Sequence, residues 1–309
     1  MNIETIRHGL VAVLLGGESA EREVSLKSGD TVARALESAG FRVRRIDTAG
    51  RDWLERLEDV SFVFNVLHGP GGEDGTVQGA LETLHLPYSG SGVLGSALAM
   101  DKRRSKQLWL GQGLPTAPFV ELSEDSDWEA VIERFDKVFV KPVGEGSSIG
   151  MAPAATPAEL AEAYLVARGH GTGVIAERFI DGPEYTVAIL GDEALPSIRL
   201  EAAEGFYDYH AKYIANDTRY EIPSGLDAID EAALGELALA AFRGLDCHGW
   251  GRVDVMRDLL HGFQLLEVNT VPGMTDHSLV PMAARAAGLS LEDLVTRIIA
   301  ESLRAWGVR

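Results

Sequence analysis

Two short segments, Arg252-Val253-Asp254-Val255-Met256 and Leu265-Leu266-Glu267-Val268-Asn269, alternate with the period of a β-strand. Strand geometry puts Arg252 and Asp254 on one face of the first, and Glu267 and Asn269 on one face of the second. Arg257 to Gly262 suits a hairpin turn. If Asp258 opposes Phe263, then Asp254 opposes Glu267 and Arg252 opposes Asn269. Directly opposed residues point to the same side of a sheet. One face then carries Asp, Glu, Asn and Arg, and the other valine and leucine, so the hairpin is expected to be buried on both sides. Two carboxylates ~5 Å apart repel, and burying them without a counter-charge is costly. A hard divalent cation such as Mg²⁺ resolves this, because carboxylate and amide oxygens suit it. The plainer alternative is a solvated acidic face. Asp254, Glu267 and Asn269 are therefore the candidate metal ligands.

The rest of the chain reads as α/β. Val11 to Leu15 is a short apolar run ending at Gly16-Gly17, as a buried parallel strand entering a tight turn would be. A helix is expected over Glu21–Ala39, closed by Gly40. Strands follow at Phe41–Ile46 and Val60–Leu67, with ligand-facing loops at the strand ends. This first unit covers about residues 1–100. A second, about 101–185, opens with the basic island Met100 to Lys106. It holds a strand Val138–Pro142 bearing Lys141, and another at Gly173–Ile180. The third, about 186–309, starts with a strand at Tyr185–Leu190. It ends in a helix opened by Ser290, with Asp293 at capping-box spacing. Residues 202–225 hold four of the seven tyrosines (Tyr207, Tyr209, Tyr213, Tyr220). A stretch this long and aromatic is expected to be a functional lid.

Composition narrows the function. With 46% apolar and 24% charged residues the chain is globular rather than disordered. A net charge of −19 repels phosphate backbones, so nucleic acid is not an expected partner. Cys247 is the only cysteine, which rules out an intrachain disulfide. No apolar stretch reaches the ~20 residues of a membrane helix, and the N-terminus does not read as a signal peptide. The expected location is the cytoplasm. In so acidic a protein, a phosphorylated ligand must be met by locally placed cations and backbone N–H groups. Gly144 to Gly150 has the small residues and hydroxyls of a phosphate-cradling loop, a texture shared with flexible surface loops. It fits neither the Walker A nor the dinucleotide fingerprint. Lys102, Lys141 and Lys212 are candidate phosphate ligands, each alternatively a surface charge.

In chain order the sequence carries Leu14 to Ser25, His68-Gly69 through Glu73-Asp74-Gly75, Met100-Asp101-Lys102, and Lys141-Pro142 with Gly146-Ser147-Ser148. Then come Phe206 to Tyr209 with Lys212-Tyr213, Gly251 to Val255, Glu267 to Thr270, and Pro272 to Thr275 with His277-Ser278. Together these motifs resemble the ATP-grasp ligases, and within them the D-alanine–D-alanine ligase family, over nearly the whole chain. The resemblance implies a Rossmann-like N-terminal domain followed by an ATP-grasp fold of two α+β subdomains clasping the nucleotide. It implies ATP and two Mg²⁺ (or Mn²⁺) ions on Asp254, Glu267 and Asn269, two D-alanine substrates, and a homodimer. Lys102 and Lys141 would hold the phosphates, with Lys212 on the γ-phosphate and Phe206 beside the nucleotide. Glu177, Phe179 and Ile180 would read the adenine, and Glu184 the ribose. Glu21 would bind the first D-alanine's amino group, next to His68. Gly273 and Ser278 would hold the second D-alanine, while Ser147 and Tyr213 would bond with Glu21 and close the lid. Arg252 would stabilise the oxyanion formed on attack. Phe179 and Arg178 stand where tryptophan and lysine are usual, which implies a slightly weaker adenine stack.

Two other readings share parts of this pattern. An ATP-grasp ligase for another acid or acceptor, D-lactate for example, would keep the metal face and lysines and differ at Pro272–Ser278 and Tyr213. A non-catalytic nucleotide-binding protein would have no need for the Asp/Glu/Asn/Arg face.

Overall fold

The structure, a computed structural model, describes residues 2–144, 150–171, 173–201 and 219–307. Ser147, Phe206, Lys212, Tyr213 and the 202–218 part of the expected lid lie outside the described residues.

After a short helix α1 (Ile3–His8), strand β1 (Leu10–Leu15) leads to helix α2 (Arg22–Ser38), then β2 (Arg42–Asp47) and β3 (Phe62–Asn65). These strands form a parallel sheet in the order β2-β1-β3. Five of the six β1 side chains are buried and apolar, as a strand covered on both faces requires. Gly16 and Gly17 both have φ of 74°, a turn that β-branched residues would resist. Helix α2 begins one residue after Glu21, matching the expected span, whereas the β2–β3 connection carries only a 3-10 turn at Asp52–Leu57. Helices α3 (Thr76–Thr83), α4 (Val93–Met100) and α5 (Lys102–Gly111) follow.

A second, four-stranded antiparallel sheet has the order β4-β7-β5-β6, from β4 (Phe119–Leu122), β5 (Val138–Pro142), β6 (Ala152–Ala154) and β7 (Val174–Arg178). Helices α6 (Trp128–Phe135) and α7 (Pro157–Arg168) cover it and share with it a separate apolar core around Val138, Leu160 and Tyr164. The third sheet is built on β8 (Glu184–Leu190), β10 (Ile198–Glu201), β11 (Arg219–Glu221), β12 (Trp250–Asp258) and β13 (Gly262–Asn269), in the order β11-β10-β8-β12-β13, with β9 (Glu193–Ala194) paired to β8. Helices α8 (Ala228–Gly244), α9 (Leu279–Ala286) and α10 (Leu291–Trp306) pack around it. Helix α10 has the expected Ser290/Asp293 capping box. It lies in a core that joins Val11 of the first sheet and Val32 of α2 to Leu190 and Trp250 of the third sheet. Among the described residues no helix is long and apolar enough to cross a membrane.

The β12–β13 hairpin has the expected register where it matters and another at its turn. Arg252 opposes Asn269 and Asp254 opposes Glu267, but Asp258 opposes Gly262 rather than Phe263. A β-bulge separates the two registers, inserting Leu266 between Leu265 (opposite Val255) and Glu267. The physical reason is visible in burial. Strict alternation would put Leu265 on the same face as Glu267, but Leu265 is fully buried in the core with Val253, Val255 and Val268. The extra residue turns Leu265 inward and leaves Glu267 on the polar face.

Candidate functional site

Antiparallel pairing of β12 with both β8 and β13 flanks Asp254 on either side, while Glu267 and Asn269 lie on β13 at the end of the sheet order. Asp254 is almost fully buried. Its carboxylate accepts from Thr186 Oγ1 at 2.6 Å, from Arg252 Nε and Nη2 at 2.9 and 2.8 Å, and from Asn269 Nδ2 at 3.1 Å. Glu267 is met from outside the sheet by Lys102, whose Nζ lies 3.0 Å from Oε2. The repulsion expected from sequence is thus offset by two cations, Arg252 and Lys102. Asn269 uses its N–H on Asp254 and retains Oδ1. Two carboxylates and an amide oxygen on one face are the donor types a hard divalent cation takes.

A second cluster faces it from the four-stranded sheet. Lys141 on β5 and Glu177 on β7 are diagonal neighbours across that pairing, opposite Ile175 and Phe139 respectively, and Lys141 Nζ donates to Glu177 Oε2 at 2.9 Å. Lys106, one helical turn beyond Lys102 on α5, places Nζ 3.4 Å from Glu177 Oε1. Burial alone would raise the Glu177 pKa, but the charges of Lys106 and Lys141 outweigh it and hold the carboxyl below its ordinary range. Burial lowers Lys106 to about 8 against the pull of Glu177. Among the described residues, Glu177 Oε1 has no hydrogen bond of good geometry. A buried acceptor in that condition points to a donor on a ligand. Phe179 lies just beyond, with Lys137 Nζ 3.6 Å from its ring centroid and Phe139 at 6.4 Å. Ile180 is buried, and Glu184 is half-buried at the head of β8. Arg178 Nη1 donates to Asp258 at 2.9 Å, tying the two antiparallel sheets together.

The third group lies at the carboxyl ends of the parallel strands. Glu21, at the N-terminus of α2, is buried, and its Oε2 is so close to Gly69 that a Cβ there would sit 3.1 Å away. His68 Nδ1 donates to Val271 O at 2.9 Å, and its Nε2 lies 3.5 Å from Ser28 Oγ. Burial opposes a charged imidazole, but Glu73 (3.8 Å) and Glu21 outweigh it, so the His68 pKa is raised. Ser28 Oγ also accepts from Met274 N at 3.1 Å, and Ser278 Oγ accepts from Thr275 N at 2.9 Å. Gly273 is pressed against Ser278, whose Oγ a Cβ at 273 would approach to 3.0 Å. The loop 271–278 is therefore fastened onto α2 and His68.

Lys106, Thr186 and Ser28 are absent from the sequence-based set. Only Lys106 left a readable signal, its i+4 spacing from Lys102. Thr186 becomes visible only once β8 is known to flank β12.

Two antiparallel sheets presenting lysines and acids to each other across a common point, beside a parallel sheet, define the class: this is an ATP-grasp ligase fold. Family models described as D-ala D-ala ligase N-terminus and C-terminus match residues 47–91 and 108–300. The D-alanine–D-alanine ligase of Psychrobacter sp. (strain PRwf-1) is 54% identical over 298 residues, 96% of this chain and 90% of that protein. That of Halorhodospira halophila is 54% identical over 96% of this chain and 97% of its own length. The crystal structure of the Bacillus anthracis D-alanine–D-alanine ligase complexed with ATP superposes with a TM-score of 0.86 at 32% identity, covering 97% of this chain and 99% of that one. A D-Ala:D-Ser ligase from Enterococcus faecalis superposes at 0.81, with 30% identity over 94% and 98% of the two chains. The chain belongs to the D-alanine–D-alanine ligase family.

Proposed function

We infer that the chain joins two D-alanine molecules into D-alanyl-D-alanine, coupled to cleavage of ATP to ADP and phosphate, as peptidoglycan synthesis requires. The observation that carries the reading is the 3.0 Å approach of Lys102 Nζ to Glu267 Oε2. It brings a phosphate-binding type of cation onto the acid face, where nucleotide phosphates and metal would meet.

A carboxylate is a poor electrophile at neutral pH. Transfer of the γ-phosphoryl group to the first D-alanine carboxylate gives an acyl phosphate, with in-line charge offset by Lys102 and Lys141. Asp254, Glu267 and Asn269 would hold two Mg²⁺ (or Mn²⁺) ions, which would supply further neutralisation of the phosphates. Glu21 would take the ammonium of the first D-alanine, with His68 alongside. Gly273 and Ser278 would seat the second, whose free amine attacks the acyl carbon as phosphate leaves. Arg252 would stabilise the developing oxyanion. Its two hydrogen bonds to Asp254 support this by fixing the guanidinium plane. Glu177, whose Oε1 is met among the described residues only by the charge of Lys106 at 3.4 Å, would accept from the adenine amino group beside Phe179 and Ile180, and Glu184 would bond the ribose. Ser147, Phe206, Lys212 and Tyr213 complete the reading on the resemblance alone, as do a homodimer and a cytoplasmic location.

Phosphate release with Mg²⁺-ATP and D-alanine tests the reading, against D-serine, D-lactate and L-alanine as acceptors. Release should be greatest with D-alanine alone and be lost in Glu267→Gln. Stronger turnover with another acceptor would reassign the substrate.

A further inference from the structure

Lys106 has no part in the chemistry above, yet it is wholly inaccessible. A buried ammonium is costly unless it is paired and hydrogen-bonded. Its Nζ donates to Thr116 Oγ1 at 2.5 Å, and Thr116 Oγ1 donates to Leu265 O at 2.8 Å. Leu265 N donates in turn to Pro115 O at 2.9 Å. Leu265 is the last residue before the bulge that brings Glu267 opposite Asp254. Helix α5, which carries Lys106, is anchored on α8 through Trp109 Nε1 to Ala241 O at 3.1 Å, and Trp109 lies in the core of the third sheet. Glu177 belongs to the other antiparallel sheet. Lys141 grips Glu177 Oε2 from within that same sheet, while Lys106 faces Oε1 from the metal-bearing side.

We propose that Lys106 is a positioning residue for base recognition: it keeps Glu177 ionised and fixed relative to the metal-bearing sheet, so that the carboxylate accepts from a purine 6-amino group and rejects a purine bearing a 6-carbonyl. An ionised carboxylate has acceptors only, whereas a protonated one can donate to a carbonyl. Removing one of the two cations on Glu177 therefore weakens discrimination between ATP and ITP before it touches the chemical step. The proposal rests on the reading of Glu177 as the base-reading group.

The test compares kcat/KM for ATP and ITP in Lys106→Met, Thr116→Val, Glu177→Gln and the Lys106→Met/Glu177→Gln pair. In Lys106→Met the ATP preference should fall roughly tenfold or more, through nucleotide KM, with kcat at saturating ATP and the KM for D-alanine near their original values. Thr116→Val, which keeps the charge and loses its anchor, should give a smaller fall in the same direction. The double variant should discriminate no worse than Glu177→Gln alone. An unchanged preference in Glu177→Gln would remove the base-reading role itself. A collapsed preference in Glu177→Gln with an intact one in Lys106→Met, accompanied only by a lower melting temperature, would overturn the role of Lys106. Should Lys106→Met fail to fold, Thr116→Val decides: an unchanged preference there overturns the proposal.

Discussion

Arg252 shows how much one side chain does on the acid face. It neutralises Asp254 through two hydrogen bonds and, under the proposed chemistry, meets the oxyanion. Arg252→Ala is therefore expected to reduce turnover roughly a hundred- to a thousand-fold, while nucleotide affinity by calorimetry changes far less. Normal turnover would remove the oxyanion role. Lys106 carries a different signature. Its folded pKa of about 8 lies below the ordinary lysine value, so between the two the unfolded chain binds more protons than the native one. The cost of burying the charge is fully present below about pH 8 and is relieved as pH rises through that window. Wild-type stability in urea should rise relative to Lys106→Met across that window, by at most about 1.4 kcal/mol per pH unit. Parallel pH profiles for the two proteins would contradict the depressed value.

At the scale of elements, period-two patterning sufficed for the register at the acid face but not for the bulge. Leu265 and Glu267 are two apart in sequence and lie on opposite faces, because burying Leu265 with Val255 outweighs regular pairing. Nothing in the five letters Leu265 to Asn269 distinguishes that outcome from a regular strand. The α2 span was legible because Gly40 ends it and an apolar stripe runs through it; its closeness to β1 was not. A Cβ on Gly29 would lie 2.5 Å from Leu15 Cβ, so α2 rests directly on the strand. Gly29→Ala should lift the helix, costing about 1–3 kcal/mol in unfolding experiments. It should also raise the KM for D-alanine if Glu21, at that helix's N-terminus, takes the substrate ammonium as proposed. A variant with native stability and unchanged KM would mean the helix shifts freely.

Over the whole molecule, a net charge of −19 surrounds a cleft whose cations include the buried Lys102 and Lys141. The global field opposes an incoming nucleotide and the local one receives it. Association of ATP in stopped-flow mixing should accordingly speed up as an inert salt is raised from about 0.01 to 0.15 M, where the screening length shrinks from about 30 to 8 Å. Zwitterionic D-alanine should show little change. A rate that falls with salt would mean the cleft's own field dominates at long range.

The distribution of apolar cores has a mechanical consequence. One core runs from the parallel sheet through α10 into the third sheet, whereas the four-stranded sheet keeps its own. The molecule is thus an anvil and a jaw. The chain crosses between them at Leu114–Pro118 and Asp181–Pro183, and the Lys106–Glu177 and Arg178–Asp258 pairs latch them across the gap. Any swing of the jaw has to be taken up at or beside those two crossings, which are themselves hydrogen-bonded to the third sheet at Pro115, Thr116 and Pro183. A surface crosslink between jaw and anvil, touching no residue in the cleft, should be enough to trap the nucleotide inside.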